Sequence, residues 1–141
     1  MTSPSSNPRP GPMKLTDALQ YRLPVAGVVS ILHRISGAMM FVLLPFIIWL
    51  FDTSLSSEVS YERFTAAFAV GIGPVPGVLV KLVVLLLIWA YLHHFIAGVR
   101  HIWMDVTHSV TKEQGRSSAM FTMVASLLLT VALGAKLFGV Y

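Results

Sequence analysis

Along the chain, hydrophobic and polar positions alternate as three long apolar stretches separated by short polar ones. No Asp, Glu, Lys or Arg occurs from Ile35 to Phe51, from Leu82 to Val99, or from Ser117 to Ala135. Each stretch approaches the ~20 residues a helix needs to cross a bilayer. Phe64 to Val80 is also uncharged, but Gly71, Gly73, Pro74, Pro76 and Gly77 interrupt it. Lipid-exposed backbone must hydrogen-bond within its own segment, so this stretch is expected to be a loop or interfacial turn leading into the second helix. The pattern predicts an all-α membrane protein with three transmembrane helices, over approximately 24–51, 77–105 and 116–139. Pro24 suits a first helical turn, where a missing N–H costs nothing. A helix from Pro24 to Phe51 would measure about 42 Å, so its first turns should project through the headgroups of a core about 30 Å thick. Pro45 is expected to kink it.

Composition supports the membrane reading. Of 141 residues, 55% are hydrophobic and 11% charged, and the mean hydropathy is +0.75. A soluble domain carries about 25% charged residues, and this chain has too few to cover a water-facing surface. The length suits one domain: an N-terminal arm over 1–23, rich in Pro and Ser and expected to be extended or disordered, and a membrane anchor domain over 24–141. The arm lacks the pattern of a cleaved signal, because the apolar run comes late and continues for a full span. The absence of Cys excludes a disulfide framework, a thiolate metal site and covalent haem attachment through Cys-x-x-Cys-His. The net charge of +4 is better explained by membrane-flanking Lys and Arg than by nucleic acid, which is set aside. Arg9, Lys14, Arg22 and Arg34 precede the first span, and Arg100, Lys112 and Arg116 follow the second. The connection from Asp52 to Lys81 has only Arg63 and Lys81 against three acids. This bias places the N-terminus and the second connection on the cytoplasmic side. Two polar clusters, Ser30–Ser36 and His93–Asp105, then share one face of the membrane.

His93 and His94 are six or seven residues from the charged boundary at Arg100, which puts His94 about 9 Å deeper than that boundary. Ionisable groups at such depth are costly and mark functional sites. A neutral imidazole can ligate haem iron, and a hydrogen bond to a neighbouring helix accounts for an intramembrane His as well. Gly98, four residues beyond His94 on the same face, leaves room for a flat macrocycle or for close helix packing. His94 and His101 are about 10.5 Å apart along the helix and cannot flank one iron. His93 points about 100° away from His94, and His33, beside Arg34, is expected nearer the interface. One ligand from this chain and one from a partner is the simplest arrangement for a haem. Arg100 near the boundary suits propionates or phospholipid. Ser30 and Arg34 share a helix face and suit a quinone's carbonyl oxygens. By spacing alone, however, a snorkelling Arg beside packing serines is the stronger reading.

Ser30-Ile-Leu-His33-Arg34-Ile-Ser-Gly37 before a long apolar helix resembles the cytochrome b subunits of succinate dehydrogenase, the first of two membrane anchors of respiratory complex II. So does the pattern H-x-x-x-G-x-R-H-x-x-x-D formed by His94, Gly98, Arg100, His101 and Asp105. Tyr21-Arg22-Leu23-Pro24 before the first helix and Ser54-Leu55-Ser56-Ser57 after it also fit, and the resemblance covers most of the chain. It departs in the arm, where Gly11-Pro12-Met13-Lys14 follows Arg9-Pro10 in place of a Ser-Pro-His type of sequence.

The resemblance implies that His94 is the axial ligand of one haem b, the second ligand coming from the other anchor subunit. It implies that Ser30 and Arg34 line the ubiquinone pocket beside the iron–sulfur subunit, and that His33 and Arg34 approach the haem propionates. Arg100, His101 and Asp105 would belong to the cytoplasmic rim without individual roles. The expected function is a non-catalytic anchor in a bacterial inner membrane, inactive alone, with succinate oxidised on a flavoprotein and an iron–sulfur partner. The competing readings are a fumarate reductase anchor, a haem-free transport or proton-relay protein using His93, His94 and Asp105, and a purely structural anchor.

Overall fold

The computed structural model describes residues 23–108 and 111–141. The N-terminal arm, with the departure at Gly11–Lys14, lies outside the described residues except for Leu23. Five helices follow in chain order: α1 Val25–Val42, α2 Leu44–Leu55, α3 Glu58–Ala69, α4 Gly77–Thr107 and α5 Lys112–Leu137. A short antiparallel hairpin, β1 Gly71–Ile72 with β2 Val75–Pro76, joins α3 to α4. Three of the helices, α1, α4 and α5, are long and apolar enough to cross a bilayer, so this is a multi-pass membrane protein. α4 has 31 residues, about 46 Å at 1.5 Å per residue, and overshoots the hydrocarbon core.

The structure differs from the expected single helix over 24–51. The helix breaks at Leu43, whose φ of −88° and ψ of 4° end α1, and α2 resumes with Pro45 in its first turn. Pro45 has no N–H for the carbonyl four residues back, and its ring crowds the preceding turn, so the break falls just ahead of it. The stretch 64–80 also departs from the expected loop. Its first residues belong to α3, capped by Ser57, whose Oγ accepts from the Ser60 N–H at 3.1 Å while the Ser57 N–H donates to Ser60 Oγ at 2.8 Å. The glycines and prolines fall after α3, in the hairpin. Gly71 has φ +122°, and a Cβ there would collide with the Val75 carbonyl oxygen, so this turn requires glycine.

α3 packs on α2 and α4, with Tyr61, Phe64 and Phe68 forming a row of neighbouring rings. An apolar groove of about 510 Å³ remains between them, lined by Met40, Phe51, Phe64 and Leu87 among others. α1, α4 and α5 pack mutually around a small core of Val29, Ala97 and Ala119. α5 turns Ala119, Thr122, Ser126, Thr130 and Gly134 inward, one residue per helical turn. Lipid gives apolar side chains no reason to leave it, so spanning helices associate through close approach and hydrogen bonds, which small residues permit. Large apolar residues such as Phe41, Ile102, Phe121 and Val131 face outward. α4 ends at His108 in the left-handed region, φ 52°. α5 starts at Thr111, whose Oγ1 accepts from the Gln114 N–H. His33 of α1 stands beside Gly98 of α4, and Gly37 further along α1 stands beside His94 earlier in α4, so the two helices run in opposite directions and both polar clusters meet.

Candidate functional site

The adjacent histidines of α4 point about 100° apart and find different partners. His93 is fully buried, stacked on Trp89 with ring centroids 5.4 Å apart and with Nδ1 3.3 Å from Ser126 Oγ on α5. Its Nε2 is the buried side-chain nitrogen left without a hydrogen-bond partner among the described residues. This side chain is a tie between helices, enclosed on all sides.

His94 is half-buried in the seam between α1 and α4. Its Nδ1–H donates to the His33 carbonyl at 2.9 Å, and Ser36 Oγ stands 3.3 Å from the same nitrogen. A carbonyl only accepts, so Nδ1 carries the proton and Nε2 keeps its lone pair. No hydrogen bond holds Nε2 among the described residues. An imidazole pinned through Nδ1–H to a carbonyl is the arrangement in which a His presents Nε2 to a metal, so the donor set fits an axial haem ligand.

His33 stacks on His94 with centroids 4.1 Å apart and planes 18° from parallel, and lies 5.4 Å from His101. It therefore sits level with His94, contrary to the shallower position expected beside Arg34. The helix bounds explain this: His33 falls at the middle of α1 and His94 just past the middle of α4. Gly98 serves close helix packing, the second of the two uses expected for it. A Cβ on Gly98 would come 3.7 Å from His33 Nε2, so the space above this glycine is occupied by the His33 ring. Ser30 is half-buried and Arg34 exposed on α1, and neither hydroxyl nor guanidinium has a hydrogen-bond partner among the described residues. Asp105 is exposed at the end of α4.

Arg100 corrects an expectation. It is 8% exposed; its Nε–H donates to Ser118 Oγ at 3.0 Å and a terminal N–H donates to the Gly115 carbonyl at 3.1 Å. These bonds clamp the end of α4 to the start of α5 in place of a propionate or phospholipid. The partners follow 15 and 18 residues later, a pairing no local spacing reveals. Sequence reading also missed Ser36 and Gly37 as the surface on which His94 rests. The only signal was their place in the same motif, with only Ile35 between them and Arg34.

Comparison with known proteins agrees with this geometry. The family described as succinate dehydrogenase/fumarate reductase transmembrane subunit matches residues 8–133. The succinate dehydrogenase cytochrome b556 subunit of Paracoccus denitrificans is 30% identical over 111 residues, 79% of this chain and 80% of its own. That of Coxiella burnetii is 29% identical over 118 residues, 84% of this chain and 90% of its own. The subunit of the same name from Rickettsia felis is 23% identical over 113 residues, 80% and 82% of the two chains. With three spanning helices, the paired clusters at one end and a family match over nearly its whole length, the chain belongs to the transmembrane subunits of succinate dehydrogenase and fumarate reductase.

Proposed function

We propose that this chain is the cytochrome b anchor of a bacterial succinate:ubiquinone oxidoreductase, that it supplies one axial ligand to a haem b shared with a second anchor subunit, and that it forms part of the ubiquinone site. The observation that carries the reading is the state of His94: Nδ1–H is committed to the His33 carbonyl and Nε2 is left as a lone pair. His93 supports the choice between the neighbours by being fully buried, with Nδ1 turned to Ser126. When bound, a b-type haem carries one electron at a time. The chain's own residues hold and orient it: His94 through Nε2, with His33 and Arg34 toward its propionates.

Arg34 and Ser30, exposed or half-buried and without partners among the described residues, would donate hydrogen bonds to a quinone's oxygens. The guanidinium would also stabilise the negative charge that develops as the quinone is reduced. The soluble partners would be a flavoprotein, where succinate is oxidised, and an iron–sulfur subunit docked at the end of the bundle that carries both clusters. That end faces the cytoplasm of a bacterial inner membrane if the Lys and Arg bias sets the orientation. The subunit has no catalytic residue of its own in this reading and is inactive alone.

The test is a reduced-minus-oxidised absorption spectrum of the detergent-extracted complex purified through this chain. A b-type signal is expected, with haem per complex falling by about tenfold or more in His94→Leu, as loss of a metal ligand should exceed the 10–100-fold cost of losing its supporting partner. His93→Leu should keep most of the haem, and the reverse ranking would move the ligand by one residue. A colourless complex that keeps its soluble partners would mean a haem-free anchor. A colourless chain without partners would favour a transport or proton-relay protein.

A further inference from the structure

The His94 ring rests on the bare backbone of Gly37. A Cβ built on Gly37 would stand 2.8 Å from His94 Cε1, 3.2 Å from Nδ1 and 3.8 Å from Nε2. The first distance is closer than carbon atoms pack, so the imidazole lies where it does because residue 37 has no side chain. The carbonyl that receives the Nδ1–H belongs to the same stretch of α1. The Ser36 hydroxyl donates to that His33 carbonyl at 2.9 Å and so shares it with His94 Nδ1. Ser36 is fully buried. One carbonyl, one hydroxyl and one absent Cβ thus hold a single nitrogen and a single ring. The glycine of α4 makes a milder demand, because a Cβ on Gly98 would meet only His33 Nε2 at 3.7 Å, an ordinary contact.

We propose that Gly37 and Ser36 are positioning residues for His94: they set the strength of its Nδ1–H bond to the His33 carbonyl and thereby the donor strength of Nε2 toward an axial iron. The inference rests on the haem reading above and deepens it. A stronger Nδ1–H bond makes the imidazole more basic, which favours ferric over ferrous iron and lowers the midpoint potential. Gly37→Ala pushes the ring away from the carbonyl and weakens the bond, so the potential rises. Ser36→Ala removes the hydroxyl that competes for the carbonyl's lone pairs, so the bond to Nδ1 strengthens and the potential falls.

The experiment uses the whole complex in detergent and measures haem per complex, midpoint potential and the low-spin ferric electron paramagnetic resonance signal. Wild type, Gly37→Ala and Ser36→Ala are compared with Gly27→Ala, whose Cβ would meet only the Pro24 ring at 3.6 Å and Leu23 at 4.0 Å. The expected result is near-complete haem in both test variants, displaced resonance signals, potentials moved in opposite directions, and a wild-type signal in Gly27→Ala. A Gly37→Ala complex with wild-type haem content, potential and resonance signal overturns the inference. If Gly37→Ala does not assemble, Ser36→Ala decides, since it adds no atoms, and an unmoved potential there overturns it equally. A wild-type complex without haem, or one whose signal survives His94→Leu, marks failure of the haem reading itself and takes this inference with it.

Discussion

The two seams of α4 solve the same problem in opposite ways. Against α5, its polar groups are buried and, apart from His93 Nε2, spent within the chain: His93 Nδ1 on Ser126, and Arg100 on Ser118 and the Gly115 carbonyl. The hydroxyls of that face are occupied too, with Thr122 donating to the Ser118 carbonyl and Thr130 to that of Ser126. Against α1, the imidazoles of His33, His94 and His101 are only half-buried, and His94 keeps a lone pair on Nε2. Ser30 and Arg34 beside them have no partner among the described residues. Polar groups are expensive at membrane depth, and a seam that satisfies its own is structural. A seam that leaves donors and a lone pair without partners is the one on which the haem and quinone proposal rests.

That contrast can be broken by experiment, beginning where the effect should be greatest after His94 itself. Arg34→Ala removes a charge-assisted donor from the open seam. Quinone reduction by the complex should fall by about tenfold or more, the range set by losing one preorganised donor, while succinate-dependent reduction of an artificial dye persists. Unchanged quinone turnover would remove Arg34 from the pocket. Arg100→Ala tests the closed seam. It deletes two charge-assisted bonds from a buried guanidinium and should cost about 2–3 kcal/mol, read as a lower melting temperature of the complex in detergent. The haem spectrum should not move, and if it does, the two seams are not separable. The smallest effect belongs to Ser126→Ala, which leaves His93 without its partner on α5. Interhelical bonds in membranes average about 0.6 kcal/mol, so a slight loss of thermal stability with an unaltered spectrum is expected. A loss as large as that of Arg100→Ala would make His93 a principal tie of the bundle.

Much of this was legible along the chain, and the exceptions share a cause. The second and third apolar stretches lie within α4 and α5, the first is divided between α1 and α2, and the placing of both clusters at one face followed from the antiparallel course of α1 and α4. Pro45 announced an irregularity, since a missing N–H is a property of the residue itself. What it did not announce was that the break falls at Leu43 and that α2 continues to Leu55. The amphipathic α3 went unread because its charges, Glu58, Glu62 and Arg63, looked like loop charges, and its Ser57 cap was not recognised. In the site, the pairing of a His cluster on α4 with Ser30–Gly37 on α1 was readable as a motif. The depth of His33, the choice between the two uses of Gly98 and the destination of Arg100 were not. Each depends on which residue of another helix stands opposite, 15 to 65 positions away in the chain.

By itself the sequence determined what a bilayer demands locally: segment length, apolarity and the absence of charge, properties each helix satisfies on its own because all its backbone hydrogen bonds are internal. It also determined which side chains were available to the site. Only the tertiary structure decided how two adjacent histidines divide their roles. His93 and His94 are the same residue on the same helix, about 100° apart. The partner found by each Nδ1, Ser126 on α5 for one and the His33 carbonyl on α1 for the other, made the first a fully enclosed tie and left the second half-buried with a lone pair to offer. Hydrogen-bond partners across helices carry no local signature, so rotation of α4 against its neighbours settles which histidine is which.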